Sequence, residues 1–258
     1  MTSNESNREV AMTSTNRYLT SWEKFWSTTT GAQGEIFWDA DPAYAAQQDL
    51  ALFERYADPQ LPLIDLGCGN GTQTRFLADH FSRVIGTEIA PAAVQLARRT
   101  NGAANVTYRV LDVLQPDDAQ ALHREIGDAN IYMRAVLHQL SPSDHATAVR
   151  SIERLLGKNG ILYLVELSSA AEPFFAKLIA DYGPPPGLAR VFQHQITPGM
   201  LHEDSLTALF RSDQFALLKT GPSHIRTVHS LPTGEVAKVP AFYAILQRQS
   251  SHVGERSH

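Results

Sequence analysis

Asp65-Leu66-Gly67-Cys68-Gly69-Asn70-Gly71-Thr72 closes an apolar run that begins at Leu63, and a helical pattern from Thr72 to Phe81 follows at once. A buried strand that ends in a glycine turn and feeds a helix lets backbone approach a ligand with no Cβ in the way. The spacing narrows the ligand. The dinucleotide fingerprint is G-x-G-x-x-G, but here the glycines stand at 67, 69 and 71 and position 72 is Thr. The phosphate-cradling G-x-x-x-x-G-K-[ST] of ATPases and GTPases is absent. A loop with an acid (Asp65) and no Lys suits a ligand that carries a cationic amino group and a sulfonium but no phosphate. Glu88 closes a second apolar run, 21 residues beyond Gly67, the offset of a carboxylate that accepts hydrogen bonds from ribose hydroxyls. Histidine is the default base near neutral pH, and His138 follows a fourth run at the edge where open α/β sheets bind ligands. It is the candidate catalytic residue.

These stations resemble the class I S-adenosylmethionine-dependent methyltransferases of the small-molecule type. The resemblance rests on Asp65-x-Gly67-x-Gly69-x-Gly71, on Glu88-Ile89 followed by Ala90 to Arg99, on Asp112-Val113, and on Leu137-His138-Gln139-Leu140, and covers about residues 60–168. It implies S-adenosyl-L-methionine as cofactor. Asp65, Gly67, Cys68, Gly69 and Gly71 would wrap its amino acid end, Glu88 with Ile89 its ribose, and Asp112 with Val113 its adenine. Arg134 is assigned to its carboxylate, or else to a salt bridge with a loop acid. The family's nucleobase amino-methyltransferases carry Asn/Asp-Pro-Pro-aromatic after the fourth strand. Arg134-Ala135-Val136-Leu137 departs from that and argues against DNA adenine or cytosine targets. The metal-dependent catechol enzymes need an acid cluster after that strand. Leu137-His138-Gln139 lacks one, so no metal is expected. Two other classes stay open: an NAD(P)-dependent oxidoreductase, which the glycine spacing disfavours, and a non-catalytic methyltransferase-like binding module, which the acids at 65, 88 and 112 disfavour.

The elements that must hold these residues alternate. Strands are expected at about 61–67, 83–89, 106–111, 129–137 and 160–168, and helices at about 72–81, 91–101, 117–127 and 141–157. Alternation of this kind gives right-handed βαβ units and a parallel sheet. Ser141 caps the last of these helices, with Pro142 in its first turn. A helix near 198–212, a strand from Phe215, a glycine- and proline-marked connector and a last strand Val239 to Gln247 complete the chain. The expected fold is α/β: a Rossmann-like, doubly wound, seven-stranded sheet, mostly parallel with an antiparallel last strand, plus an N-terminal helical cap and an insertion after the fifth strand. The expected divisions are a disordered tail at 1–16 and one domain over 17–258. That domain holds a cap at 17–58, a cofactor-binding core at 59–168, a substrate insertion at 169–197, and a helix with a strand pair at 198–249. Residues 250–258 read as a polar tail.

All three tryptophans, with Tyr18, Phe25, Phe37 and Tyr44, fall in the cap. They are expected either to pack on the sheet or to cover the ligand, and Trp38 is taken as a substrate contact. In the insertion, His194 is a second substrate contact and the alternative base. His145 reads as solvated, and Glu166 either faces the site or pairs with an Arg.

Composition sets outer limits. The chain has 258 residues, 43% hydrophobic and 19% charged, with a net charge of −5, which describes one globular α/β domain. No Lys/Arg cluster is long enough to track a phosphate backbone, so nucleic acid is not expected as a partner. No apolar run reaches the length of a membrane span, and no signal core opens the chain. Cys68 is the single cysteine, which fits a reducing, cytoplasmic setting; its place in the turn asks for a small residue rather than a nucleophile. The oligomeric state is not legible.

Overall fold

In a computed structural model, residues 17–196, 199 and 201–249 are described. The expected tails at 1–16 and 250–258 lie outside them, as do Thr197, Pro198 and Met200. A helix over 17–27 (α1) opens the described chain. After a 3-10 turn (Pro42–Tyr44) come α2 (Ala46–Phe53), β1 (Leu63–Leu66), α3 (Thr72–Leu77), β2 (Val84–Glu88), α4 (Pro91–Thr100), β3 (Val106–Val110) and α5 (Pro116–Ile126). Then follow β4 (Asn130–Arg134), a 3-10 turn (Leu137–Gln139), α6 (Pro142–Leu156), β5 (Ile161–Leu167), α7 (Ala171–Tyr182), α8 (Pro186–Gln193), α9 (Glu203–Leu209), β6 (Phe215–Ser230) and β7 (Val236–Arg248).

The strands form one sheet in the order β3-β2-β1-β4-β5-β7-β6. β1 to β5 pair in parallel, β7 pairs antiparallel with β5, and β6 pairs antiparallel with β7. The two-residue period of a strand sends alternate side chains to opposite faces. Ile64, Leu66, Ile131, Met133, Leu162 and Leu164 therefore pack on one side with α5, α6 and α9. Leu63, Tyr132, Ile161, Tyr163 and Val165 pack on the other with α2, α3, α7 and α8. Both faces are covered, as a mostly parallel sheet requires. No helix among the described residues is long and apolar enough to cross a membrane.

Three departures from expectation have local causes. β4 stops at Arg134 rather than running to Leu137, because Ala135 adopts φ 62 and turns the chain out of the sheet. The insertion carries a second helix beyond the expected one near 173–181: Pro186 is the first residue of α8, where a missing N–H costs nothing. The expected glycine- and proline-marked connector is the stretch 231–235, with Pro232 and Gly234, but the strand before it runs longer than expected and takes Gly221 and Pro222 into the 16-residue β6. β6 is an edge strand, where a residue without an N–H is tolerated.

Candidate functional site

β1 has β2 on one side and β4 on the other, so the chain leaves the sheet in opposite directions after β1 and β4. A crevice opens at such a switch in strand order. Here it is a cleft enclosing about 1180 Å³ of unfilled space, part of it open to solvent. Its floor comes from the carboxyl ends of the strands: Leu66, Gly67 and Gly69 after β1, Glu88 and Ile89 at β2, Leu111, Asp112 and Val113 after β3, and Arg134 to Val136 after β4.

The glycine loop is pinned from beneath and above. The Gly67 and Cys68 amides both donate to the Thr87 carbonyl, at 2.8 and 2.9 Å. Gly67 has φ +82, and a Cβ there would lie 2.5 Å from Val136 Cγ2. Gly69 has φ +54, and a Cβ would meet the Trp26 ring at 3.0 Å. Its amide donates to Glu88 Oε2 at 3.2 Å, while Oε1 accepts from Ile89 N at 2.7 Å. Burial pushes the Glu88 carboxyl above its ordinary range, against the pull of these amides. Asp65 lies under the loop, 3% exposed, and accepts from Thr74 Oγ1 at 2.5 Å. Burial raises its carboxyl to about 7, opposed by the Thr74 hydroxyl and assisted by the charge of Glu88. Burial and the same two acids hold the Cys68 thiol well above its usual range, the opposite of an activated nucleophile.

Across the cleft, the turn after β4 is built on one carboxylate. Glu166, fully buried in β5, accepts from the amides of Val136, Leu137 and His138 at 3.0, 2.7 and 3.2 Å. The same carboxylate lies 2.7 Å from His138 Nδ1. The strained backbone at Ala135 is what turns these amides inward, and strain of this kind persists where surroundings over-determine it. With Nδ1–H directed at Glu166, Nε2 carries the lone pair, and the Gln139 amide nitrogen stands 2.6 Å from it. This tautomer is assigned from the hydrogen-bond network. Glu166 thus pairs with His138, not with an Arg, and His145 bonds the Leu137 carbonyl at 2.9 Å rather than solvent alone. Ser141 holds the N-cap position of α6, but its hydroxyl bonds the Asp144 carboxylate at 2.7 Å instead of the helix backbone.

Arg134 is paired with Asp49 of α2, at 2.6 Å, and not with a loop acid. The hydroxyls of Tyr132 and Tyr163 donate to the same carboxylate at 2.8 Å each. Burial works against the guanidinium charge, but Asp49 and the two tyrosines hold it above its usual range. A second N–H of Arg134 donates to the His224 carbonyl at 3.2 Å.

α1 roofs the cleft and is fastened along its length. Tyr18 donates to Asp144 at 3.0 Å and accepts from Ser141 N at 2.7 Å. Glu23 accepts from Ala92 N at 3.0 Å, in the first turn of α4. Arg190 of α8 donates to the Phe25 carbonyl at 2.9 Å and to Thr29 Oγ1 at 2.7 Å, and stacks over the Phe25 ring. Trp22, Trp26 and Trp38 line the cleft from this side. Among the described residues, the Nε1–H of Trp26 is buried without a hydrogen-bond partner.

Of the residues singled out from sequence, Gly67, Gly69, Glu88, Ile89, Asp112, Val113, Arg134, His138 and Trp38 line this one cleft. Asp65, Cys68 and Gly71 do not reach its wall; they sit beneath or behind the loop. His194 is also elsewhere. It follows α8, packs edge-on against Phe25 at 5.8 Å, and lies in an outer depression with Arg17 and Lys24. Burial, Arg190 and Lys24 lower its pKa. Tyr18, Trp22 and Trp26, read from sequence as cap aromatics that pack or cover, also line the cleft; sequence reasoning did not find Glu23, Arg190 or Asp49, whose partners are remote in the chain.

The sequence profile described as "Methyltransferase domain" matches residues 64–164. A solved S-adenosylmethionine-dependent methyltransferase from Anabaena variabilis ATCC 29413 is 39% identical, with a TM-score of 0.86, covering 90% of this chain and 95% of that one. The dTDP-3-amino-3,6-dideoxy-alpha-D-glucopyranose N,N-dimethyltransferase of Streptomyces fradiae is 26% identical over 76% of this chain and 61% of its own length. The ubiquinone biosynthesis O-methyltransferase of Xanthomonas campestris pv. campestris (strain B100) is 28% identical over 66% of this chain and 70% of its own. The chain therefore spans less than two thirds of the first of these two relatives.

Proposed function

Because this chain belongs to the class I S-adenosylmethionine-dependent methyltransferases, we propose that it transfers a methyl group from S-adenosyl-L-methionine to a small-molecule acceptor held in the cleft under α1. The observation that carries this reading is the pairing of a glycine loop with a carboxylate on one cleft wall: Gly67 and Gly69 at positive φ, and Glu88 reaching the Gly69 amide.

The donor set fits that cofactor. Glu88 is a carboxylate facing the cleft, suited to two ribose hydroxyls. Asp112 and Val113 line the wall beyond it, where an adenine would lie. The cofactor's carboxylate and ammonium call for a donor and an acid near the loop. Arg134 has five N–H groups and uses two of them in the bonds above. The unpartnered Trp26 Nε1–H is a second donor, and leaving it so costs about 1–3 kcal/mol. Asp65 lies beneath the loop, its carboxyl held to Thr74 Oγ1 at 2.5 Å. When bound, the cofactor brings a methyl group on a sulfonium, already activated for in-line displacement, so the protein's part is alignment and desolvation. α1 excludes water, and His138 Nε2 stands ready to take a proton from an acceptor that arrives protonated. Glu166 fixes the ring and its tautomer, the role of the second carboxyl in histidine-based sites.

Calorimetry with S-adenosylhomocysteine and with NADH tests this. Binding of the first and not the second, together with transfer of labelled methyl to any acceptor, is the expected result. Binding of NADH alone would return the site to the dinucleotide class.

A further inference from the structure

The two walls of the cleft differ in charge, and the difference specifies the acceptor. We propose that the acceptor is a neutral, largely apolar molecule with an acidic hydroxyl, a phenol or an enol, whose proton goes to His138 Nε2. This rests on the cofactor reading above and adds the substrate class to it.

The wall formed by β4, β5, β7, β6, α7 and α8 presents Leu140, Leu167, Phe175, Leu188, Ile225 and Val239. Its polar groups among the described lining residues are Arg134, His138 and Gln139. Arg134 is already neutralised by Asp49 at 2.6 Å, and its remaining donors are those proposed above for the cofactor's carboxylate. That leaves no unpaired cation for a carboxylate or a diphosphate on the acceptor. An anion without a partner in such a wall would carry its desolvation cost unrelieved. The same wall offers no carboxylate to a cationic amine. Glu166 does not line the cleft and is saturated by three amides and the imidazole. A neutral acceptor meets neither penalty. Phe37, Trp38 and Phe175 add flat, apolar surface suited to a ring.

The oxygen is assigned by the base. Nε2 is the acceptor nitrogen of the tautomer that Glu166 holds, and the Gln139 amide at 2.6 Å occupies the place of a donor to it. An acceptor hydroxyl would replace that amide. Imidazole is matched to a phenol, with pKa ≈ 10, far better than to an aliphatic alcohol. The hydroxyl proton passes to Nε2. The oxygen forms a bond to the methyl carbon as the carbon–sulfur bond breaks, and that bond's electron pair stays on sulfur. The products are a methyl ether, a neutral thioether and an imidazolium, which returns its proton to solvent.

The test uses the full chain with S-adenosylhomocysteine bound. Three probes share the biphenyl skeleton: para-phenylphenol, its analogue with a carboxylate on the far ring, and its analogue with an aminomethyl group in place of the hydroxyl. A fourth, para-heptylphenol, offers a different apolar shape. Binding is read by calorimetry and methylation with labelled S-adenosylmethionine. The expected result is binding and methylation of the neutral phenols, with the carboxylate at least about tenfold weaker and the amine not methylated. Phe175→Lys, at a half-buried position, and Leu140→Lys each place a cation on this wall and should close the gap between phenol and carboxylate. Retained affinity for S-adenosylhomocysteine shows that the variants fold. Equal or tighter binding of the carboxylate by wild type, an unchanged gap in both folded variants, or no binding of either phenol overturns the proposal. Loss of S-adenosylhomocysteine binding by wild type would instead overturn the cofactor reading beneath it.

Discussion

The cleft has a polar half and an apolar half, and they are built in different ways. On the β1-β2-β3 side, Glu88 and Asp112 sit at strand ends beside the loop that carries Gly67 and Gly69. Each group is placed by the strand it ends. On the β4-β5-β7-β6 side, His138, proposed above as the base, sits in a turn and is held by a carboxylate 28 residues away in β5. The surrounding apolar groups come from α7, α8 and the terminal hairpin. The first half is a set of local stations on a fixed sheet. The second is an assembly of distant parts.

That contrast can be broken most severely at the loop between the halves. Gly69→Val should remove measurable cofactor binding, because φ +54 is closed to a β-branched residue and the new Cβ would strike Trp26. Circular dichroism should show the sheet intact, and calorimetry no binding of S-adenosylhomocysteine. A variant that binds as wild type would separate the loop from the site.

His138→Ala tests whether chemistry resides in the apolar half alone. Turnover of a hydroxyl acceptor should fall by ~10²–10⁴-fold, with cofactor affinity unchanged. Turnover at the wild-type rate would reduce His138 to packing.

Glu88→Ala tests the polar half by the opposite readout. Losing charge-assisted hydrogen bonds to the ribose should weaken cofactor binding by about 1.5–3 kcal/mol, while the kcat at saturating cofactor changes less. Calorimetry that finds full affinity would remove the ribose role.

Asp65→Asn is read through stability rather than binding or turnover, and its effect depends on pH. The Asp65 carboxyl is raised to about 7 by burial. Above its ordinary carboxylate range and up to about 7, the native state holds a proton that the unfolded chain has released. Wild-type stability therefore declines as pH rises through that window. Asn does not ionise, so the variant's Tm should gain on wild type between about pH 4 and 7, by up to about 4 kcal/mol in stability. A constant Tm difference across that range would mean that Asp65 ionises as freely as a surface acid.

What could be read in advance follows the same division. Strand-end acids, glycine spacing and Pro91 at a helix start are signals within a few residues, so the sheet and the polar wall were legible. Glu166 was read as facing the site or pairing with an Arg; its partner is His138, and a contact between a strand and a turn 28 residues away leaves no periodic trace. Arg134 was expected at the cofactor or a loop acid; its actual partner, Asp49, lies 85 positions earlier. The prolines at 184–186 concealed a helix, since Pro suits a helix's first turn as well as it suits a loop. His194 was placed at the substrate from its surroundings in sequence, and α8 carries it to the outer side of α1 instead.

All three tryptophans of the chain belong to the roof and line the cleft. Trp22 and Trp38 meet edge to face at 5.8 Å, and Phe25 lies between Trp38 and Trp26. The protein thus carries an intrinsic optical reporter confined to one segment. Excited at the red edge, where tyrosine does not absorb, its emission should follow the opening and filling of that segment, in real time and without labels.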